Sequence, residues 1–316
     1  MAHPNASFDK IASTTFDNLQ KTIADNISDH IPLLKLMRMK GAVKTSGGDK
    51  IVRPLMYGFA NAQSYSGSDV IDITKPEGIS AAEYNWKQVV CPIIIEGIEK
   101  ARNSGPEKQI DLLDTLKMQA EASMEDKVSE MLFGDGTGNF GKDMLGLQAI
   151  VDIAPTTGTL GGINRANYSW WRNSYNASVG AYATYLQSAM STIIRATSRG
   201  NERTDIIVTD STNFGYLETI AAGKAQYTNP KLADLGFQAL KFEGIDVIFD
   251  ANCPTGKMYG LNTKYLKFYI HNDYNFKIGK FVEPANQDIL VAKHMVYGQL
   301  TTNRAESCWV LDGITT

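Results

Sequence analysis

From Gly58 to Glu83 the chain reads as a long polar excursion, short of large apolar side chains and carrying Ser64, Ser66, Gly67, Ser68, Asp69, Pro76 and Gly78. A structureless stretch of this length is uncommon inside a compact domain, where connections are short. Two β-prone runs flank it, Lys50–Tyr57 and Tyr84–Ile95, the second carrying Tyr84, Trp86, Val89, Val90, Ile93, Ile94 and Ile95. The pattern predicts an extended hairpin whose tip leaves the domain. Pro54 demotes the first run to an edge or bent strand, because its missing N–H cannot join a ladder. An isolated strand pair buries too little apolar surface to be stable alone. Two readings follow: a mobile surface loop, or an arm that docks on a neighbour.

The clearest helix begins after this hairpin. Ser104-Gly105-Pro106-Glu107 has the form of a capping box. Ile110, Leu113, Leu116, Ala120, Met124, Val128, Met131 and Leu132 then recur at three- and four-residue steps, predicting seven to eight turns that stop on a left-handed Gly134. Asp111, Asp114, Lys117, Glu121, Glu125, Lys127 and Glu130 mark the other face as a solvated, mostly acidic stripe. Before the hairpin, Ile11, Phe16, Leu19, Ile23 and Ile27 lie at loosely helical spacing up to Pro32, a lightly amphipathic arm that needs a partner to bury it.

A literal GxGxxG follows the long helix at Gly136, Gly138 and Gly141. A dinucleotide fingerprint needs a strand before the glycines and a helix after them; here a helix precedes, which reads as a loop. Asn176–Ser198 reads as a second long helix, Asp205–Thr209 as a buried strand, and Asp210-Ser211-Thr212 as the cap of a helix that ends at Gly223. A hydrolase using Asp210 and Ser211 is the alternative, but no histidine or third acid is placed beside them by any motif. The remainder is β-rich: Gln238–Phe242, Ile245–Phe249, Met258–Asn262, Leu266–Ile270, Asp288–Thr301 and Glu306–Leu311, the last two forming a hairpin about Asn303-Arg304-Ala305.

Composition narrows the function classes. Among 316 residues, 31 basic against 34 acidic side chains argue against phosphate binding over the whole surface. Cys91, Cys253 and Cys308 imply no disulfide framework, and His3, His30, His271 and His294 form no metal-binding pair. No apolar run is long enough to span a bilayer, and Met1–Asp9 lacks the parts of a secretory signal, so a soluble protein made in the cytosol is expected. No cofactor and no metal are expected, and no catalytic residue.

Gly146-Leu147-Gln148-Ala149-Ile150-Val151, Gly161-Gly162-Ile163-Asn164-Arg165 and Tyr168-Ser169-Trp170-Trp171-Arg172 resemble a phrase shared by one group of phage capsid subunits. Taken alone, Leu147, Ile150 and Val151 read as a short strand, Gly161 and Gly162 as a turn, and the two tryptophans as core or interface anchors. With the element order, the whole chain resembles the HK97-like major capsid proteins of tailed bacteriophages. The resemblance implies an α+β fold with an N-terminal arm (1–44), an extended hairpin loop (45–96), a peripheral domain with a spine helix (97–145 and 284–316) and an axial domain (146–283). It implies no enzyme but a subunit that self-assembles, as hexamers and pentamers, into an icosahedral virion shell enclosing double-stranded DNA without tight binding. Assembly in the host cytoplasm, a portal, no membrane, and either a processed N-terminus or a separate scaffolding protein come with it. An encapsulin-like compartment enclosing cargo enzymes is the alternative within the same fold. Tyr65, Lys75, Trp86, Trp170, Trp171 and Arg172 are the expected subunit-contact or structural residues; Lys75 lies in the loop but has no local motif for the lysine–asparagine crosslink of some relatives.

Overall fold

Pro32 opens helix α1, Pro32–Met39, at a position where its missing N–H costs nothing. The structure, a computed structural model, describes residues 32–74, 77–98, 106–222 and 239–316. The apolar spacing between Ile11 and Ile27, and Ser104 and Gly105 of the expected capping box, lie outside those residues. Leu33, Leu34, Leu36 and Met37 on α1 are buried in the main core, so Pro32–Lys44, joined to the arm in the sequence reading, is packed into the body. Val43–Ser46 (β1) continues from it and runs parallel to Leu266–His271 (β13).

Helix α2, Pro106–Phe133, has 28 residues, matching the length its periodicity predicts. Ala120, Met124, Val128, Met131 and Leu132 are buried in the main core, where α2 packs on Lys87–Glu96 (β4) and Ile289–Thr302 (β15). Three local expectations are corrected. Lys117 is buried instead of solvated, with Glu121 3.7 Å away, because the sheet covers more of the helix than its apolar stripe. Gly134 is not left-handed; its N–H closes on the Met131 carbonyl at 3.1 Å, and the left-handed residue is Gly136 at φ +78°, where a Cβ would lie 2.8 Å from Leu145. Leu147–Ile150 is a helical turn and not a strand, closed by the N–H groups of Ile150 and Val151.

The return strand of the expected hairpin divides at Trp86. Ile79–Asn85 (β3) pairs antiparallel with Lys50–Met56 (β2), whereas β4 leaves to pair with β15 from Glu96↔Ile289 to Lys87↔Gly298. β15 also pairs with β13 and with Lys277–Ile278 (β14), which completes the first sheet.

A six-stranded second sheet runs Ala239–Phe242 (β10), Ile245–Phe249 (β11), Ile206–Thr209 (β9), Met258–Leu261 (β12), Trp309–Leu311 (β16), Ser174–Asn176 (β7), and two short pairs stand beside the sheets, Thr159–Leu160 (β5) with Ile163–Asn164 (β6) and Gly180–Ala181 (β8) with Ile314–Thr315 (β17). The expected C-terminal hairpin therefore does not form. β15 belongs to the first sheet and β16 to the second, with Asn303 and Arg304 at the corner. Trp309, Val310 and Leu311 are all buried, the pattern of a strand covered on both faces and not of a half-exposed hairpin. Val310 joins the main core; Trp309 and Leu311 face a second core under Gln187–Thr197 (α3) and Ser211–Ala222 (α4).

α3 also begins later than its periodicity suggests. After a wide helical turn at Tyr182–Leu186, regular helix starts at Gln187. Upstream, the Val179 and Gly180 N–H groups donate to Asp312 and Gly313 carbonyls at 3.1 and 3.0 Å, so pairing with the C-terminus overrides local propensity.

Candidate assembly arm and its anchorage

β2 and β3 form a two-stranded sheet, in register from Lys50↔Asn85 to Met56↔Ile79. Along β2 burial alternates: Ile51, Arg53 and Leu55 face the body, and Val52, Pro54 and Met56 face outward. Ala82 and Tyr84 complete the inward face. A period of two has thus placed an arginine in an apolar row.

Arg53 uses that position to lock the arm. Its Nη1 donates to Tyr269 Oη (3.1 Å), and its Nη2 donates to the Tyr265 carbonyl (3.1 Å) and to Asn303 Oδ1 (2.9 Å). The guanidinium also lies 5.4 Å from the centroid of the Tyr269 ring. Tyr84 Oη donates to the Thr302 carbonyl at 2.8 Å, and burial pushes its phenol pKa up. Glu83 N–H donates to the Gly161 carbonyl at 3.0 Å. Behind these contacts, Glu202 accepts from Lys264, Tyr265 Oη and Arg304; the hydrogen bond from Lys264, then that from Tyr265, hold its carboxyl at about 2. The corner that receives Arg53 is itself cross-tied.

Beyond Met56 the arm narrows. Tyr57 N–H donates to the Gly78 carbonyl at 2.8 Å, Asn61 Nδ2 to Asp72 Oδ2 at 2.8 Å, and Ser66 N–H to Asp69 Oδ2 at 2.8 Å. Phe59, Tyr65, Val70, Ile71 and Ile73 are all exposed, Val70 at 96% and Ile73 at 92%, and Met56 and Ile79 extend this apolar surface down the outward face of the strands. Sequence reading treated the excursion as polar and missed these residues; their signal was large apolar side chains inside a segment with no core to receive them. Arg53, Tyr57 and Asn303 were missed as well, and only Arg53 carried a hint, a charge at an inward position of an alternating strand.

Of the expected residues, Tyr65 lies exposed on the tip and Lys75 lies outside the described residues. Trp86 sits where the chain leaves the arm, its Nε1 donating to the Gly48 carbonyl at 2.8 Å and its ring edge-on to His271. Trp170 stacks on Tyr57, centroids 4.8 Å apart and planes 9° apart, beside a recess of about 520 Å³ lined by Tyr57, Ala81, Ile163 and Tyr168. Trp171 is fully buried and donates to the Leu160 carbonyl at 2.9 Å. Arg172 Nε and Nη2 donate to the carbonyls of Arg165 and Ala166 at 2.7 and 2.9 Å. The Gly161–Arg172 phrase thus builds a bonded platform beneath the arm root.

The Asp210–Ser211 pair is a helix start. Asp210 is buried and its Oδ1 accepts from Asn213 N–H at 3.4 Å, while Ser211 is exposed as the first residue of α4. Among the described residues no group of three or more His, Cys, Asp or Glu converges to hold a metal ion, and no helix is long and apolar enough to cross a membrane.

No protein-family model and no curated protein matches this sequence. Solved structures do match. The capsid asymmetric unit of cyanophage A-1(L) superposes with a TM-score of 0.70 at 19% identity, covering 91% of this chain and 94% of that one. The capsid of an empty GTA particle gives 0.59 at 9% identity over 88% and 90%. The holo-SrpI encapsulin complex of Synechococcus elongatus gives 0.55 at 10% identity over 88% and 87%. Nearly the full length of each chain enters these superpositions at identities too low to carry more than architecture, so what the chain shares with them is its fold: the α+β, HK97-like fold of phage capsid subunits.

Proposed function

We propose that this chain is the major capsid protein of a tailed bacteriophage, assembling with copies of itself as hexamers and pentamers into an icosahedral shell around double-stranded DNA. One observation carries the reading: an arm with an exposed apolar surface, fixed to its own body by a buried arginine and left without a core of its own. A surface that hydrophobic, held at a set angle, fits a heterologous contact in which it covers a different patch on the next copy. Obligate interfaces of several thousand square ångströms, on the order of the largest class, would bury it. Tyr65, Trp86 and Trp170 are the expected docking residues at the tip and root, and Trp171 and Arg172 support the platform. We assign the body a peripheral part built on α2 and the first sheet, which takes in β13 and β14 from the expected axial range 146–283, and an axial part built on the second sheet, which takes in β16 from the expected peripheral range 284–316. A portal and a scaffolding protein accompany the subunit, and the virion is its location.

Electron microscopy of the purified chain tests this. Closed shells, tubes or capsomers are expected; a compact monomer under every ionic strength and concentration tried would overturn it. The likeness to an encapsulin favours one second reading, a compartment that encloses cargo enzymes. Nuclease-protected double-stranded DNA inside native particles supports the first reading, and a co-purifying enzyme in DNA-free particles supports the second.

A further inference from the structure

The glycine loop after α2 holds a disfavoured backbone conformation at two adjacent positions. Asn139 (φ 50°, ψ 48°) and Phe140 (φ 57°, ψ 39°) are successive non-glycine residues in the left-handed region, where a Cβ crowds the following carbonyl. Such a conformation persists only where the surroundings impose it. They do so here through a closed set of bonds. Thr137 N–H and Oγ1 donate to Asp135 Oδ1 at 2.9 and 2.8 Å, Gly141 N–H donates to the Thr137 carbonyl at 3.0 Å, and Lys87 Nζ holds the Gly141 carbonyl. A Cβ on Gly138 would lie 2.2 Å from Asp143 Oδ2, so the two ends of the turn pack without space between them.

The consequence of that strain is one side chain. Phe140 is 96% exposed and returns no packing to the subunit. A lone exposed apolar residue needs no explanation; one presented by a rigid loop in a disfavoured conformation does. A preorganised aromatic tip is the form of a binding hot spot, because little entropy remains to be lost on docking. Asp135, Lys142 and Asp143 around it carry both signs, which suits a protein surface better than a phosphate backbone.

We propose that Phe140 is an intersubunit anchor, inserted into an apolar recess on a second copy of this chain. This rests on the shell reading, and it adds a contact separate from the arm. The test combines Phe140→Gly with p-benzoylphenylalanine placed at position 140. Glycine relieves the strain, so the unfolding midpoint of the unassembled subunit should rise by about 2 °C. The concentration needed for assembly should rise at least about tenfold. Irradiated shells of the photoreactive variant should yield chain-to-chain crosslinks that unassembled subunits lack. Wild-type shells accompanied by unchanged assembly of Phe140→Gly, a lowered midpoint, or crosslinks only within one chain would overturn the anchor alone. Failure of the wild-type chain to assemble at all would overturn the shell reading, and the anchor with it.

Discussion

Arg53 and Asn303, 250 positions apart, exchange contacts across the root of the arm: Arg53 Nη2 donates to Asn303 Oδ1 at 2.9 Å, and Asn303 Nδ2 donates to the carbonyl of Pro54 at 3.3 Å. Pro54 puts no N–H into the β2–β3 ladder, and its carbonyl is held by the body instead. The arm is therefore fastened at the point where its own sheet is weakest, to the corner where the chain passes from one sheet to the other.

Replacing Arg53 by alanine leaves the Tyr265 carbonyl and Asn303 Oδ1 without their charged donor, and should cost about 2 to 3 kcal/mol in urea unfolding. Arg53→Lys should recover less than half of that, because one ammonium cannot meet acceptors on three residues in a fork. In a double-mutant cycle with Asn303→Ala the two losses should fall short of additivity by about 1 kcal/mol. Additive losses would show that the two side chains do not act as one anchor.

Closing the arm early should separate folding from assembly. Gly58 and Gly78 already touch, a Cβ on Gly78 falling 2.7 Å from the Gly58 carbonyl oxygen, so residues 60–76 can be replaced by two glycines without moving β2 or β3. Unfolding of the subunit should shift by no more than about 0.5 kcal/mol, since the side chains of residues 60–74 are all exposed. Particles should be lost in electron micrographs; normal shells from this variant would contradict the docking role of the tip.

How much of this was legible in the sequence depends on where each partner lies. α2 was readable because its pattern is local, and four- and three-residue steps bring Ala120, Met124, Val128 and Met131 onto one face without reference to anything else. The division of the return strand at Trp86 was not, because β-propensity is continuous across it and the reason for the break, β15, lies about two hundred residues on. The false C-terminal hairpin had the same cause: nearness in sequence favoured β15 with β16, and burial on both faces sent them to different sheets. Arg53 was visible only as an oddity in an alternating run, since its three acceptors come from residues 265, 269 and 303.

Two core substitutions test that distant packing. Trp171 is buried and bonded to the Leu160 carbonyl, so Trp171→Ala should cost about 3 to 5 kcal/mol. Gly260 lies opposite Trp309 between β12 and β16, and a Cβ there would fall 1.9 Å from the indole ring. Gly260→Ala should therefore cost about 3 kcal/mol through overpacking, although alanine is ordinarily the mildest change of a glycine. A midpoint within error of wild type for either variant would show that the site relaxes freely.

The last test concerns pH. His294 is 0% exposed at the centre of β15, between Cys91 of β4 and Ile278 of β14 in register, and neither ring nitrogen makes a well-formed hydrogen bond, although the Phe276 and Ala120 backbones lie close by. Above it α2 contributes the buried Lys117, which pairs with the half-buried Glu121 at 3.7 Å. Burial lowers its pKa first, and the Lys117 charge adds to that; the nearby carbonyls of Phe276 and Ala120 oppose it only in part. The folded imidazole therefore stays neutral at a pH where the unfolded one, near its ordinary value of about 6.5, takes up a proton. Stability is fully present above that value and falls on acidification, by up to about tenfold in the folded-to-unfolded ratio per pH unit, until the folded site also protonates. His294→Leu removes this proton from the balance. The difference between wild type and variant in urea unfolding should change steadily from pH 6.5 downward in favour of leucine, with contributions from the carboxyl groups cancelling because both proteins carry them. A difference independent of pH between 7 and 5 would show that the folded imidazole takes up its proton as readily as the unfolded one, and a change in favour of the histidine would show that the fold holds it charged.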